Sequence, residues 1–186
     1  MTPQSQLTLT EFLEDPQYGD RHEFINGEAV QKMSPKFFHA SLQTQLLLLL
    51  YSWGQKRGVV ATEWAVALKR DGRDWAPIPD LLYISNDRLP SSDIEDIPCP
   101  VPPDLAIEII SPGQTFGELS EKATDYLAAG VLRVWVVDTR SQIITVFFPD
   151  SPPQTYKGDR TLSDSIFPEL KITPRRLFQQ AGIPEK

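Results

Sequence analysis

The stretch that decides the fold of this chain is Asp104-Leu105-Ala106-Ile107-Glu108-Ile109-Ile110. From Leu105 to Ile110 only Glu108 is polar, so a strand formed here presents apolar side chains on both faces. Such a strand is typical of the centre of a sheet that is covered on both sides. The stretch therefore predicts a central strand that carries one enclosed carboxylate.

The residues after this strand predict a strand–helix–strand unit. Residues 117–129 have the pattern of a helix that ends at Gly130, and residues 131–137 form a second apolar run. Two strands joined in this way by a helix form a parallel, right-handed crossover. We therefore expect parallel neighbouring strands within residues 104–137.

The residues before the central strand predict a hairpin and a long helix. Asn26-Gly27 separates short strands expected at 22–25 and 28–32, and this dipeptide favours a type I′ turn. Ser34-Pro35 is a typical helix start, so a long helix is expected to run to about Arg57, with Gly58 as its stop. Shorter elements are then expected as follows: helix 8–15, strands 59–62, 64–70, 80–84 and 143–148, an exposed proline-rich loop 85–103, and helix 173–180. This order predicts an α/β or α+β fold in which helices flank a mixed sheet.

The length and the cysteine content limit the organisation of the chain. Its 186 residues suit one domain, which we expect to occupy residues 1–186, with flexible ends at 1–7 and 181–186. Cys99 is the only cysteine, which excludes an intrachain disulfide and is typical of reducing compartments. The N-terminus does not resemble a signal peptide, and no apolar segment approaches the roughly 20 residues of a membrane span. We therefore expect a cytoplasmic protein.

The net charge of −7 is unusual for a protein that binds nucleic acid without sequence preference. Such binding depends on Lys and Arg side chains that neutralise backbone phosphates. The acidic balance therefore argues against tight, non-specific DNA binding by an isolated monomer, although the 18 Lys and Arg residues can still cluster on one face.

Glu108 is the strongest indication of chemistry in the sequence. Burial of an unpaired charge costs on the order of several kcal/mol, so something must compensate the carboxylate. A metal ion, a cationic side chain or a raised pKa would each do so, which leaves both a structural ion pair and a functional role open. If no essential partner is present, Glu108→Leu is expected to be neutral or stabilising in metal-free buffer.

Asp80 supplies a second acid at the entrance of the apolar strand expected at 80–84. Taken alone, it fits a strand-start or turn aspartate better than a ligand. Two acids on neighbouring strands can converge on one cation, however, and Mg²⁺ accepts one or two carboxylates while it keeps several waters. The pair of Asp80 and Glu108 therefore favours a metal site.

Lys122 is the third candidate residue. At about 100° per residue it lies at the edge of the apolar stripe of helix 117–129, so its side chain can bend toward the sheet. The alternative is a surface ion pair with Glu118 or Asp125, which lie four residues before it and three residues after it. Helical geometry alone slightly favours the surface pair.

These residues occur in an order that resembles a known family. The quoted motifs are Pro79-Asp80, Pro103-Asp104-Leu105-Ala106-Ile107-Glu108-Ile109-Ile110-Ser111-Pro112, Lys122, Tyr126 and Gly130-Val131…Val134-Trp135-Val136-Val137-Asp138. Upstream, His22-Glu23-Phe24-Ile25-Asn26-Gly27-Glu28 and Ser34-Pro35…His39 agree with the same pattern. From about residue 8 to about residue 180, the chain resembles the Uma2 family of endonucleases, in the PD-(D/E)xK nuclease superfamily.

The resemblance implies a restriction-endonuclease-like fold. It also implies an endodeoxyribonuclease that depends on Mg²⁺ or Mn²⁺ and acts on a nucleic acid, namely DNA. It implies that Asp80 and Glu108 are the metal ligands. A standard site has a lysine two residues after the second acid, where this chain has Ile110. The resemblance transfers that lysine to Lys122, which would orient the attacking water or offset charge on the phosphate. Since many nucleases of the superfamily act in pairs, it also implies a homodimer.

Glu23 is a further candidate, because superfamily members often place an acid from an early segment near the metals. A strand acid that faces solvent is an equally good interpretation of Glu23. His39 shares a helical stripe with Leu42 and Leu46, which predicts a buried, hydrogen-bonded histidine rather than a catalytic base.

A second function, from a different class, is also compatible with the sequence. The chain could be a catalytically inactive nuclease-fold domain that is used for protein binding or assembly, since a fold does not fix a function. A basic cleft around Asp80 and Glu108 would favour the nuclease, and an acidic or closed cleft would favour the binding role.

Overall fold

The computed structural model of this protein describes residues 7–18 and 22–185. In that part of the chain the helices are α1 (Leu9–Glu14), α2 (Phe37–Gly54), α3 (Phe116–Ala128) and α4 (Pro174–Gln180). The strands are β1 (His22–Ile25), β2 (Glu28–Gln31), β3 (Gly58–Thr62), β4 (Leu68–Arg70), β5 (Arg73–Ala76), β6 (Leu81–Ser85), β7 (Leu105–Ile109), β8 (Arg133–Asp138), β9 (Ile143–Phe147), β10 (Gln154–Lys157), β11 (Leu162–Asp164) and β12 (Phe167–Ile172). None of the helices described is long and apolar enough to cross a bilayer.

The largest sheet has six strands in the order β10-β9-β8-β7-β6-β3, with β7 inside it. Every residue of β7 is buried, as its apolar sequence predicts. This strand pairs in parallel with β8, to which α3 connects it, and antiparallel with β6 on its other side. The predicted fold class, a mixed sheet flanked by helices, is therefore confirmed.

Alternation along β7 divides the core into two layers. Leu105, Ile107 and Ile109 pack into the layer that contains the buried residues of α2 and α4. Ala106 packs into the opposite layer, which contains the buried residues of α3. Because side chains alternate along a strand, Glu108 points to the same face as Ala106. The carboxylate therefore faces α3.

The boundaries of α2 differ from the sequence prediction. The helix begins at Phe37 instead of Pro35, and it ends at Gly54, before Lys56 adopts a positive φ of 69°. Gly58 was predicted to stop this helix, but it is the first residue of β3. A Cβ atom at Gly58 would collide with the Ile84 carbonyl oxygen, so the glycine permits close approach of β3 to β6.

A second sheet, in the order β2-β1-β5-β4, carries the early hairpin. Asn26 and Gly27 have φ values of 53° and 85°, which agree with the predicted type I′ turn. The strand predicted at 64–70 is shorter in the structure, where it is β4, and the chain turns at Asp71-Gly72 into β5, a strand that the sequence did not predict. β5 begins with two charged residues, so it lacks the apolar alternation by which strands are recognised.

The C-terminal residues pack against α2. Ala181 and Ile183 are buried, and the Ser41 hydroxyl donates a hydrogen bond to the Ala181 carbonyl oxygen at 2.8 Å. In the structure, Ala181 and Ile183 therefore pack into the core, within the segment 181–186 for which the sequence analysis expects a flexible end. The first six residues and Lys186 lie outside the described ranges.

The packing of α2 makes a prediction about stability. Leu46 is 0% exposed, whereas Leu48 on the same helix is 59% exposed. Leu46→Ala should lower the free energy of unfolding by about 2–5 kcal/mol, because it removes buried methyl groups and leaves a cavity. The matched control, Leu48→Ala, should change it by less than about 0.5 kcal/mol. Urea unfolding followed by tryptophan fluorescence measures both, and equal losses would contradict the burial of this helix face.

Candidate active site

Asp80 and Glu108 are brought together by the register of two antiparallel strands. In the β6–β7 pair, Leu81 lies opposite Ile107 and Leu82 lies opposite Ala106. Continued by one residue, the same register puts Asp80 opposite Glu108, although Asp80 itself precedes β6. The two acids are 5% and 4% exposed. The structure therefore places them side by side at one end of the strands.

Asp80 is held by donors on both sides. Its Oδ2 accepts hydrogen bonds from the Ile109 amide at 2.7 Å and from His39 Nε2 at 3.1 Å. Lys32 Nζ lies 3.7 Å from Oδ1. Burial raises the pKa of the Asp80 carboxyl, but the hydrogen bond and attraction of His39, with Lys32 and the amide, outweigh burial and lower it. These contacts favour the ionised carboxylate.

Glu108 has two partners on α3. The Tyr126 hydroxyl donates a hydrogen bond to Glu108 Oε1 at 2.9 Å, and Lys122 Nζ lies 2.8 Å from the same oxygen. Burial raises the pKa of Glu108 to about 7, against the lowering effect of Lys122, and the nearby carboxylates of Asp80 and Glu23 raise it further. Burial and the neighbouring acids therefore disfavour the ionised form of Glu108, and a nearby cation would stabilise it.

Lys122 lies between two acids from different sheets. Its Nζ atom is 2.7 Å from Glu23 Oε1 and 2.8 Å from Glu108 Oε1, and its side chain is only 18% exposed. Burial lowers the pKa of Lys122, but the two carboxylates outweigh burial and raise it above its usual value. The amine is therefore a charged donor at neutral pH.

The alternative partners of Lys122 are engaged elsewhere. Glu118 completes the capping box of α3, where it accepts the Thr115 amide at 2.6 Å. Asp125 Oδ2 lies 3.0 Å from Arg70 Nε on the β4 strand. The interpretation of Lys122 as a surface ion pair with Glu118 or Asp125 is therefore wrong.

Glu23 faces the same cleft from β1. It is 8% exposed, and its Oε1 accepts a hydrogen bond from the Ile78 amide at 3.0 Å in addition to that from Lys122. The interpretation of Glu23 as a solvent-facing strand acid is therefore wrong. Its carboxylate joins the second sheet to the cluster around Lys122.

The contact of His39 with the candidate site was not predicted from the sequence. It is 5% exposed and hydrogen-bonded, as predicted, but its partner is the candidate ligand Asp80. Helical periodicity indicates that His39 is buried without indicating what it faces. The sequence feature that could have indicated this contact is the pair of polar residues His39 and Gln43, which lie one turn apart on a helix rich in leucine.

The charged side chains meet in a cleft of about 140 Å³. Four acids and two lysines line it: Glu23, Glu63, Asp80, Glu108, Lys32 and Lys122. Counted at full charge, these six groups sum to −2, so the cleft is acidic and not basic. A larger groove of about 640 Å³ lies between the β4–β5 turn and α3, and it contains the surface ion pairs Lys69–Asp74 and Arg70–Asp125. The described residues that line it include no pair of buried acids.

The donor set of the cleft fits a hard divalent cation. Among the described residues, Asp80 Oδ1 and Glu108 Oε2 accept no hydrogen bond, so each acid keeps one oxygen for a ligand. Carboxylate oxygens are the donors that Mg²⁺ and Mn²⁺ prefer. Within the same ranges there is no cluster of three or more His, Cys, Asp and Glu side chains arranged to hold a metal. The fit therefore depends on two carboxylates, with water in the remaining positions.

A sequence model of the Uma2 family, described as "Putative restriction endonuclease", matches residues 9–175. The chain belongs to the Uma2 family. Membership agrees with the resemblance that the sequence motifs indicate.

Solved structures give the same fold for this Uma2 protein. It is similar to a crystal structure described as "a putative nuclease belonging to DUF820" from Anabaena variabilis, with a TM-score of 0.83 and 24% sequence identity. The match covers 94% of this chain and 99% of the other. At this identity the likeness shows the fold alone. A search of curated proteins gave no match.

The buried cluster makes a prediction about stability. Lys122→Met should lower the free energy of unfolding by about 3–5 kcal/mol, because it leaves Glu23 and Glu108 buried without their cation. Glu108→Leu, expected from the sequence to be neutral or stabilising, should now cost about 1–3 kcal/mol, because it orphans the Tyr126 hydroxyl. Urea unfolding in metal-free buffer measures both variants.

The control for this experiment is Lys69→Met. Lys69 is 66% exposed and pairs with Asp74 at the surface, so its loss should change stability by less than about 1 kcal/mol. The double variant Lys122→Met/Glu108→Leu should lose less stability than the sum of the two single variants, since the residues share one interaction. Strict additivity would show that the ion pair does not contribute to stability.

Proposed function

We propose that this Uma2 protein is a metal-dependent endonuclease that hydrolyses phosphodiester bonds in DNA. The observation that carries the proposal is the convergence of Asp80, Glu108 and the charged amine of Lys122 in one cleft. Family membership supports nuclease chemistry, and the two acids provide the oxygen donors for a cation. The chain would work as a single restriction-endonuclease-like domain, with one core shared by the six-stranded sheet, α2 and α4.

Asp80 and Glu108 would hold the cation, Mg²⁺ or Mn²⁺. When it is bound, such an ion polarises the phosphate and lowers the pKa of a water molecule that can attack phosphorus. Asp80 is prepared for this role because its Oδ2 is already hydrogen-bonded, which leaves Oδ1 for the ligand. The Tyr126 hydroxyl orients Glu108 in the same manner.

Lys122 would stabilise negative charge instead of accepting a proton. A lysine ammonium has three donors, and two of them are directed at Glu23 and Glu108. The third remains available for the attacking water or for a phosphate oxygen. Glu23 would keep the amine charged and in place, which gives this acid its part in the site. In this way Lys122 would supply the positive charge that a standard site takes from a lysine at the position of Ile110.

The proposed substrate is DNA, in spite of the acidic cleft. The excess of acids around the cleft repels phosphate until a cation is bound, so productive binding would require the metal. We propose a homodimer by analogy with nucleases that cut two strands. The single cysteine, Cys99, is compatible with work in the reducing cytoplasm.

A second candidate function is a binding domain without catalysis. Two features favour it: the net negative charge of the cleft and the pairing of Lys122 with two acids. Both are typical of a structural ion-pair network. In this case the cluster would stabilise the fold, and the protein would use another surface. The two functions differ in whether the acids bind a cation.

Calorimetry with Mn²⁺ tests the cation site. The wild-type protein should bind one or two ions, and the variant Asp80→Ala/Glu108→Ala should bind none at the same concentration. Glu121→Gln is a suitable control, since Glu121 is exposed on α3. Equal binding by the wild type and the double variant would reject these two acids as ligands.

A nuclease assay on plasmid and linear DNA tests the activity. Cleavage should require Mg²⁺ or Mn²⁺ and stop on addition of EDTA. Lys122→Met should reduce kcat/KM by about 100-fold or more, if one charged donor contributes about 3 kcal/mol to transition-state stabilisation. The assay is made at a temperature where circular dichroism shows the variant to be folded. Metal binding with no cleavage by the wild type would favour the binding domain.

A further inference from the structure

Asp80 lies just outside the paired residues of β6. The last residue pairs at this end of β6 are Leu81 with Thr62 of β3 and Leu81 with Ile107 of β7. Asp80 precedes these pairs, so its position also depends on contacts outside the strand pairing. A buried polar group needs hydrogen-bond partners, and the loss of one is costly.

Helix α2 adds two polar contacts to Asp80. His39 Nε2 lies 3.1 Å from Asp80 Oδ2, and Gln43 Nε2 donates a hydrogen bond to the Asp80 carbonyl oxygen at 2.9 Å. The two residues are four positions apart, which puts them on the same face of the helix. One face of α2 therefore contacts both the side chain and the main chain of Asp80.

The helix itself is held firmly against the sheet. Leu42, Leu46 and Leu50 are each 0% exposed and belong to the core layer shared with β6 and β7. Because this stripe lies beside His39 and Gln43, both polar side chains are presented to Asp80 from a rigid support. Side chains placed on packed helices hold a geometry more closely than those on loops.

The contact with Asp80 determines which nitrogen of His39 acts as the donor. Its Nδ1 atom is buried and has no hydrogen-bond partner among the described residues. A carboxylate oxygen only accepts hydrogen bonds, so the proton in this contact belongs to His39 Nε2. His39 is thus a donor to Oδ2, together with the Ile109 amide at 2.7 Å. With two donors on Oδ2, the oxygen that accepts no hydrogen bond is Oδ1, which has Lys32 Nζ at 3.7 Å.

We propose that His39 and Gln43 are positioning residues that hold Asp80 with Oδ1 directed into the cleft for the cation. The inference rests on the proposed function, because it assigns Asp80 a cation to bind. Hydrogen bonds from such outer residues orient carboxylate ligands, and their loss commonly costs about 10–100-fold in metal affinity. His39 and Gln43 need not touch the cation or the substrate.

Mn²⁺ calorimetry on matched variants of α2 tests the proposal. His39→Leu should weaken binding by about 10–100-fold, and Gln43→Leu should weaken it by about 10-fold. His39→Gln retains an amide donor near the position of Nε2, so it should bind within a few-fold of the wild type. Gln45→Leu makes the same chemical change as Gln43→Leu on a side chain that lines a different groove, and it should leave binding unchanged.

The results separate this proposal from the proposed function. Wild-type affinity in both folded variants, His39→Leu and Gln43→Leu, would overturn the positioning role while the cation site stands. If His39→Leu does not fold, His39→Gln and Gln43→Leu carry the test, and a Gln43→Leu affinity equal to that of Gln45→Leu overturns it.

A measurement without metal covers the remaining case. If the wild type binds no Mn²⁺, the proposed function fails. Amide hydrogen exchange then tests whether His39 and Gln43 fix the position of Asp80 in the absence of metal. The Ile109 amide donates to Asp80 Oδ2, so a mobile Asp80 should expose it. Its exchange should be faster in His39→Leu and Gln43→Leu than in Gln45→Leu. Equal exchange rates in all three variants would show that His39 and Gln43 do not position Asp80.

Discussion

The interaction on which the rest of the site depends is the buried contact of Lys122 with Glu23 and Glu108. These charges come from three elements, the helix α3, the hairpin strand β1 and the central strand β7. Two carboxylates in the interior repel each other and lose hydration, and the cation between them offsets both effects. The ion pairs therefore tie the second sheet to the main sheet through α3, and they determine where the cleft lies.

The two core layers contribute to the cleft from opposite faces of the main sheet. Helix α2 reaches Asp80 through His39 and Gln43, whereas α3 reaches Glu108 through Lys122 and Tyr126. The contacts meet at the end of β6 and β7, where the strand ladder stops and side chains from both layers can approach each other. A site at the middle of these strands would be divided by the sheet itself.

The acidity of the cleft has opposite consequences for its two proposed ligands. Excess negative charge favours a divalent cation and disfavours the phosphates of DNA. Burial is the main cause of the raised pKa of Glu108, about 7, and the nearby carboxylates of Asp80 and Glu23 add to it. A divalent cation would reduce both the repulsion of phosphate and the cost of the buried carboxylates, so the proposed function implies that metal binds before nucleic acid. The net charge of −7 would add to the repulsion of DNA.

The sequence by itself determined the elements whose signal is local. The apolar stretch around Glu108 predicted a buried central strand, and Asn26-Gly27 predicted a hairpin turn, because strand alternation and positive φ angles are properties of neighbouring residues. Only the tertiary structure decided which charges meet. Lys122 lies 99 positions from Glu23, and His39 lies 41 positions from Asp80. Helical periodicity indicates which face of a helix a residue occupies, but the partner across that face depends on how the sheet, the hairpin and the helices pack together.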